Sequence, residues 1–297
     1  MTDKTARDLV MGTLYCVIGG ICWGISGTTA EYLMAHKGLS ADWISVLRML
    51  VGGGAILLYA FSRQGWGIFA LWRDPVSVVR VAAFGFLGMN LAQYAYVLAI
   101  GASNAGTATM LQYTGPIGVL LVNCTLARRL PSGRESMAIL LAVTGTFLIA
   151  THGSFSSLSL SPAALFWGLL AAAGLIVNFI ASEPLIHRWG NATATGTALV
   201  LAGLLLSCLK SPWQEQVHWD AGIALGCLVL VLVGTIGAFI IFMQGFAMIG
   251  SVRASMLAST EPLSAAICSA VFLGTVFTGM DLVGFTCIMA TVFLLAK

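Results

Sequence analysis

Glu261 can do more chemistry than its surroundings suggest. It lies near the middle of an apolar run, SVRASMLASTEPLSAAICSAVFL from Ser251 to Leu273, with Pro262 directly after it. An ionisable group at the centre of a bilayer costs about 2.5 to 3.5 kcal/mol on insertion scales, so it faces a protein interior or a wet cavity. Pro262 cannot donate a backbone hydrogen bond and clashes with the carbonyl four residues earlier, which kinks the helix beside the acid and frees carbonyls that need partners. A carboxylate beside a broken helix is a candidate for substrate binding and for proton coupling.

Other polar groups stand in equally apolar company. Helical spacing places Asn90, Gln93 and Tyr94 on one face of one run, and Thr109, Gln112 and Tyr113 on one face of the next. Gln244, Ser255, Ser259 and Glu261 offer a second wall, and Trp23, halfway along the first run, has an indole that could stack on a ligand or pack between helices. Interhelical hydrogen bonding is the competing reading of the amides and hydroxyls, at about 0.6 to 2 kcal/mol each. Glu31 and Arg48 form a second constellation, because both fall at similar depth from the same side. They read either as a structural ion pair or as a gate that releases Arg48 to a substrate carboxylate. Glu183-Pro184, near the end of another run, reads as a boundary feature.

The elements that must position these groups are membrane helices. The chain has 297 residues, 59% hydrophobic and 8% charged, with a net charge of +3. Hydropathy and punctuation by Gly, Pro and charge give ten spans: 12–34, 41–62, 77–99, 103–125, 134–152, 162–184, 193–210, 221–246, 251–273 and 279–296. The connections are short, the longest being Ser62 to Val76, His152 to Ser161 and Ser211 to Asp220. Lys4, Arg7, Arg63, Arg73, Arg80, Arg128, Arg129, Arg134, Arg188, Arg253 and Lys297 fall on one face, against Lys37 and Lys210 on the other. That bias predicts both termini in the cytoplasm. No cleaved signal peptide is expected. Seven cysteines, scattered without metal-ligand spacing, read as small buried hydrophobes. The four histidines sit at span ends or loops, so no catalytic cluster forms, and Gly52-Gly53-Gly54 lacks the context of a phosphate loop.

The two halves resemble each other. Aligning Pro116 with Pro262 sets AGTATMLQYTGP against SVRASMLASTEP and matches Ala108, Met110, Leu111 and Thr114 to Ala254, Met256, Leu257 and Thr260. Five spans per copy is an odd number, so the second copy enters the membrane from the opposite side. Inverted repeats with broken helices near the midplane are a common plan of secondary transporters.

Trp23-Gly24, Arg48, the small-residue turn from Gly101 to Ala108 leading to Pro116, Glu261-Pro262 and the closing segment LGTVFTGMDLVGFTCIMATVFLL carry a fuller resemblance. On them the chain resembles the drug/metabolite transporter superfamily, in its EamA-type branch, over essentially its whole length. The resemblance implies an all-α integral membrane protein of ten helices in two inverted repeats, 1–152 and 153–297. It also implies a central cavity lined by the third, fourth, eighth and ninth spans. Where many relatives carry Glu at the start of the last span of each repeat, this chain has Glu135 and then Asp281.

The expected function is secondary transport of a small metabolite across the cytoplasmic (inner) membrane by alternating access, with export as the expected direction. Amide, hydroxyl and aromatic groups with one acid and one base suit an amino acid or related amine. Efflux of lipophilic drugs or cations is the alternative, and a membrane enzyme stands further behind. No cofactor, metal or nucleic acid is expected. The partners are a small-molecule substrate and the lipid bilayer, with a homodimer left open.

Overall fold

The computed structural model describes residues 3–154, 158–249 and 251–295, and among them every regular element is a helix. In chain order these are α1 Asp3–Lys37, α2 Ala41–Arg73, α3 Pro75–Ala102, α4 Ala105–Gln112, α5 Gly115–Leu126, α6 Gly133–Thr151, α7 Pro162–Trp189, α8 Asn191–Lys210, α9 Ala221–Ile249, α10 Ser251–Ala258, α11 Thr260–Leu273 and α12 Gly279–Leu295. Seven of them, α1, α2, α3, α6, α7, α8 and α9, are long and apolar enough to cross a membrane. Large apolar side chains such as Leu58, Val79, Val143, Val271 and Phe272 point outward from the bundle. Water would penalise such a surface and lipid does not.

Helix starts follow local chemistry. Ser40, Asp74, Asn104, Ser161 and Asp220 each accept a hydrogen bond from the backbone N–H three residues on. Ser132 and Glu135 form a capping box at the head of α6. Arg129, exposed in the loop before it, donates to both carboxylate oxygens of Glu135 at 2.7 Å. Thr278 and Asp281 bond reciprocally at the head of α12, where His152 joins them at 3.1 Å. The two acids noted at the starts of these helices are thus N-terminal caps. Gly38 after α1 and Gly190 after α7 take φ of 70° and 82°, a left-handed turn in which a Cβ would be strained.

Several expectations are refined. The runs at 103–125 and 251–273 are each two helices, with breaks at Tyr113-Thr114 and at Ser259. The loop expected at Ser62 to Val76 is largely helical: Gly65–Arg73 is wound as a 3₁₀ helix with Trp66, Phe69 and Trp72 exposed. Pro184 sits inside α7 without breaking it. Cys16 and Cys124 are buried as expected, whereas Cys208 is exposed. Three stretches, Arg48–Gly52, Phe84–Tyr94 and Val229–Gly237, are π-helical, which turns the following residues away from an α-helical register.

The packing has a regular pattern. Helix α1 lies against α9 and α11, and α7 lies against α3 and α5; α2 pairs with α8, and α6 with α12. Small residues set the spacing. A Cβ at Gly20 or Gly24 of α1 would stand 2.0 Å from the hydroxyl of Thr260 or Ser264, so α11 approaches to near backbone contact.

Candidate functional site

The breaks in the two interrupted helices build the site. Pro262 removes the donor that would have satisfied the carbonyl of Ala258. The Tyr113 hydroxyl, from the break at the end of α4, supplies it at 2.7 Å. The same hydroxyl stands 3.2 Å from Glu261 Oε2. A phenol has a single proton, so it cannot donate fully to both. With the proton on the Ala258 carbonyl, a protonated Glu261 can donate to the Tyr113 oxygen, whereas an ionised Glu261 competes with the carbonyl for the Tyr113 proton. Protonation at Glu261 is thereby tied to the bond that braces the broken helix.

Arg48 projects from the π-helical turn of α2, partly buried, and lies within Coulombic range of Tyr96 and Glu261. Its Nη1 is buried and has no hydrogen-bond partner among the described residues. Tyr96 is buried on α3 and bonds Thr109 Oγ1 at 2.8 Å. Thr109 donates its own proton to the Ala105 carbonyl at 2.6 Å, so Tyr96 is the donor to Thr109. Gly27 of α1 makes room for this phenol, since a Cβ there would stand 2.5 Å from its oxygen. The group brought together is therefore Arg48, Tyr96, Thr109, Tyr113 and Glu261, drawn from α2, α3, α4 and α11.

The expected pair of Glu31 with Arg48 does not form. The Glu31 carboxylate accepts from the Ala105 backbone N–H at 2.8 Å, from the Ser269 hydroxyl and from Thr275 Oγ1 at 3.4 Å. The head of α4 offers orphan N–H groups and a positive dipole end, which hold a carboxylate better than a distant guanidinium does. Glu31 thus ties α1, α4 and α11 together at one end of the bundle.

Other members of the expected set lie elsewhere. Asn90 donates to the carbonyls of Gly85 and Ala202 at 3.4 Å each and joins α3 to α8, with its Oδ1 buried and unbonded. Tyr94 turns toward α2 and bonds Asp42 at 2.5 Å. Gln93 is half-buried and has no side-chain partner among the described residues. Gln112 is buried and donates to the Ala92 carbonyl at 2.6 Å, joining α4 to α3. Trp23 packs on Phe242 with ring centroids 4.8 Å apart, in the seam between α1 and α9. Gln244 is exposed on α9. Ser259 is buried at the break between α10 and α11, beside Glu261.

Tyr96 is the member that the sequence reading left out. The helical stripe through Asn90, Gln93 and Tyr94 assumes an α-helix, but Phe84–Tyr94 is π-helical, so the residue that reaches Thr109 is two positions further on. Tyr94 and Tyr96 were both visible in the run; which of them bonds Thr109 was not.

A bundle of long apolar helices with a buried cation and a carboxylate beside a helix break is the architecture of a membrane transport protein. The EamA-like transporter family matches this chain over residues 10–151 and 162–297. The chain belongs to that family and is a multi-pass inner-membrane protein. It is 33% identical over 288 residues to the uncharacterized inner membrane transporter YicL of Salmonella typhimurium, a match covering 96% of this chain and 95% of that one. It is 27% identical over 256 residues to the threonine/homoserine exporter RhtA of the same species, covering 85% and 80% of the two chains. A solved crystal structure shares the fold at a TM-score of 0.63 and 16% identity, covering 96% of this chain and 98% of the other.

Proposed function

We propose that this transporter exports a small zwitterion, an amino acid or a related amine, by exposing the site between Arg48 and Glu261 alternately to the two faces of the membrane. The observation that carries this reading is that Arg48 and Glu261 share one site without pairing. Arg48 Nη1 is left unbonded, and Glu261 is bonded through Tyr113 alone among the described residues. A buried guanidinium with a free donor costs several kcal/mol unless something satisfies it. The carboxylate of an amino acid does so through a charge-assisted, bidentate contact. Its ammonium group then meets Glu261, with the hydroxyls of Tyr96 and Thr109 between. The relative named as a threonine/homoserine exporter carries a substrate of this class.

The architecture of this reading is ten spans, with α4–α5 and α10–α11 each counted as one broken span and both termini in the cytoplasm. The matching contacts of α1 with α9 and α11, and of α7 with α3 and α5, support two inverted repeats divided near 152. The Glu261–Tyr113–Ala258 linkage supports proton coupling, because a change of charge at Glu261 acts on the brace across the helix break.

Counterflow in proteoliposomes, run with a panel of amino acids, amines and lipophilic cations, tests the substrate class. Arg48→Gln should weaken binding of the transported amino acid roughly 10- to 100-fold, the loss of one charge-assisted contact of about 1.5 to 3 kcal/mol. Flux of lipophilic cations that is indifferent to Arg48→Gln, with no amino-acid flux, would favour drug efflux instead.

A further inference from the structure

We infer that Glu31 and Glu183 are twin gate carboxylates, one at each end of the bundle, and that Glu183 closes its own end by bonding Asn123 when the bonds of Glu31 are broken. The inference rests on the alternating-access reading and adds to it the residue that shuts the second gate.

The positions of the two acids match. Glu31 lies seven residues before Gly38, and Glu183 lies seven residues before Gly190, the two positive-φ glycines that end α1 and α7. The helices around them interlock in the same way. Gly20 and Gly24 of α1 take up Thr260 and Ser264 of α11. In the other half, Gly115 and Gly118 of α5 take up Ala172 and Ile176 of α7. The register that sets Thr260-Glu261-Pro262 on Thr114-Gly115-Pro116 sets Ser264 on Gly118 and Ser269 on Asn123. The register that sets Glu31 on Glu183 sets Gly24 on Ile176. One contact, Gly24 with Ser264, thus recurs as Ile176 with Gly118, with the glycine moved to the opposite helix. On the same two registers the bonded pair Glu31 and Ser269 corresponds to the positions of Glu183 and Asn123.

The twins sit at opposite ends. Helix α7 begins where α3 finishes, with Ser161 Oγ 3.2 Å from the Ala102 carbonyl, close to the Ala105 N–H that Glu31 binds. It finishes where α3 begins, with Arg188 bonded to Asp74 at 2.8 Å and Trp189 to Ser77 at 2.8 Å.

Their bonding is opposite too. Glu31 accepts three hydrogen bonds, from α4, α11 and the turn after α11. Glu183 is exposed, and among the described residues its carboxylate has no bonding partner; the exposed Asn123 side chain has none among them either. A carrier that opens one end at a time must break the contacts of one gate as it makes those of the other. One twin bonded and one free is that arrangement.

The test uses Asn123→Cys with Glu183→Cys in proteoliposomes, oxidised with copper phenanthroline. Peptide mass spectrometry then identifies a disulfide between 123 and 183 and separates it from products of the native Cys124. The disulfide should form, and adding Glu31→Gln should raise its rate of formation about tenfold or more, because the three bonds holding the other end shut are weakened. No disulfide between 123 and 183 in either background, or a rate unchanged by Glu31→Gln, overturns the proposal. Glu183→Gln alone should slow counterflow at least about tenfold with substrate affinity unchanged, since it removes charged bonds made in one state only. Wild-type counterflow in that variant also overturns it, because a mere boundary residue would tolerate the change. The cross-link needs no substrate, so failure of every amino acid in the flux panel would sink the substrate reading and leave the gate separately tested.

Discussion

The two helix breaks share a design and differ in one residue. At Thr114-Gly115-Pro116 the middle position is pressed against α7, where a Cβ would stand 3.1 Å from the Ala172 carbonyl and 3.1 Å from Leu175. At Thr260-Glu261-Pro262 the close approach to α1 is taken by Gly20 and Gly24 instead, which leaves position 261 free to carry a long acid toward Tyr113. The lopsided charge of the site follows from which partner supplies the glycine. Where α5 supplies it, a side chain would press on α7; where α1 supplies it, α11 can hold the carboxylate.

The strongest way to break this comparison is to make the copies alike. Gly115→Glu should cost several kcal/mol, more than most substitutions, because it forces a buried unpaired charge into van der Waals contact. The expected result is little folded protein by size-exclusion chromatography in detergent, and a well-folded, active variant would show that packing does not set the asymmetry. Next in size is Glu261→Gln, which keeps the shape and removes the titration. Transport driven by a pH gradient should fall to background while binding and folding persist, and an unchanged pH dependence would remove Glu261 from coupling. Tyr113→Phe leaves the Ala258 carbonyl without its donor. It should destabilise the protein by about 1 to 3 kcal/mol in thermal unfolding, with a matching loss of flux. Asn90→Ala, by contrast, removes interhelical bonds away from the breaks and should cost about 1 kcal/mol or less with flux retained. A selective loss of substrate affinity there would return Asn90 to the site.

The smallest effect concerns the caps. Arg129 bonds both carboxylate oxygens of Glu135 at 2.7 Å beside the capping box. Arg129→Gln should quicken hydrogen exchange at the head of α6, with little change in global unfolding, because an exposed ion pair contributes about 1 kcal/mol or less. Exchange unchanged in that variant would show that the Arg129 bond is not holding the cap.

The sequence by itself determined the membrane environment, the two proline breaks and the placing of two charges, Glu261 and Arg48, inside apolar runs. Each follows from a local rule: hydropathy, the missing proline donor, and the cost of a charge among apolar neighbours. The sequence showed Glu135 and Asp281 only as acids at the starts of two spans; their capping bonds with Ser132 and Thr278 came from the structure. Three things were decided by the tertiary structure alone. The π-helical stretch in α3 changed which tyrosine meets Thr109, because helical register accumulates over many residues and no single one announces it. Glu31 chose the head of α4 over Arg48, because the orphan N–H groups there exist only once the break at Ser103-Asn104 is packed against α1. Asn90 and Gln112, polar residues suited to a cavity by composition, were spent on joining helices, a choice set by which carbonyls stood within reach in three dimensions.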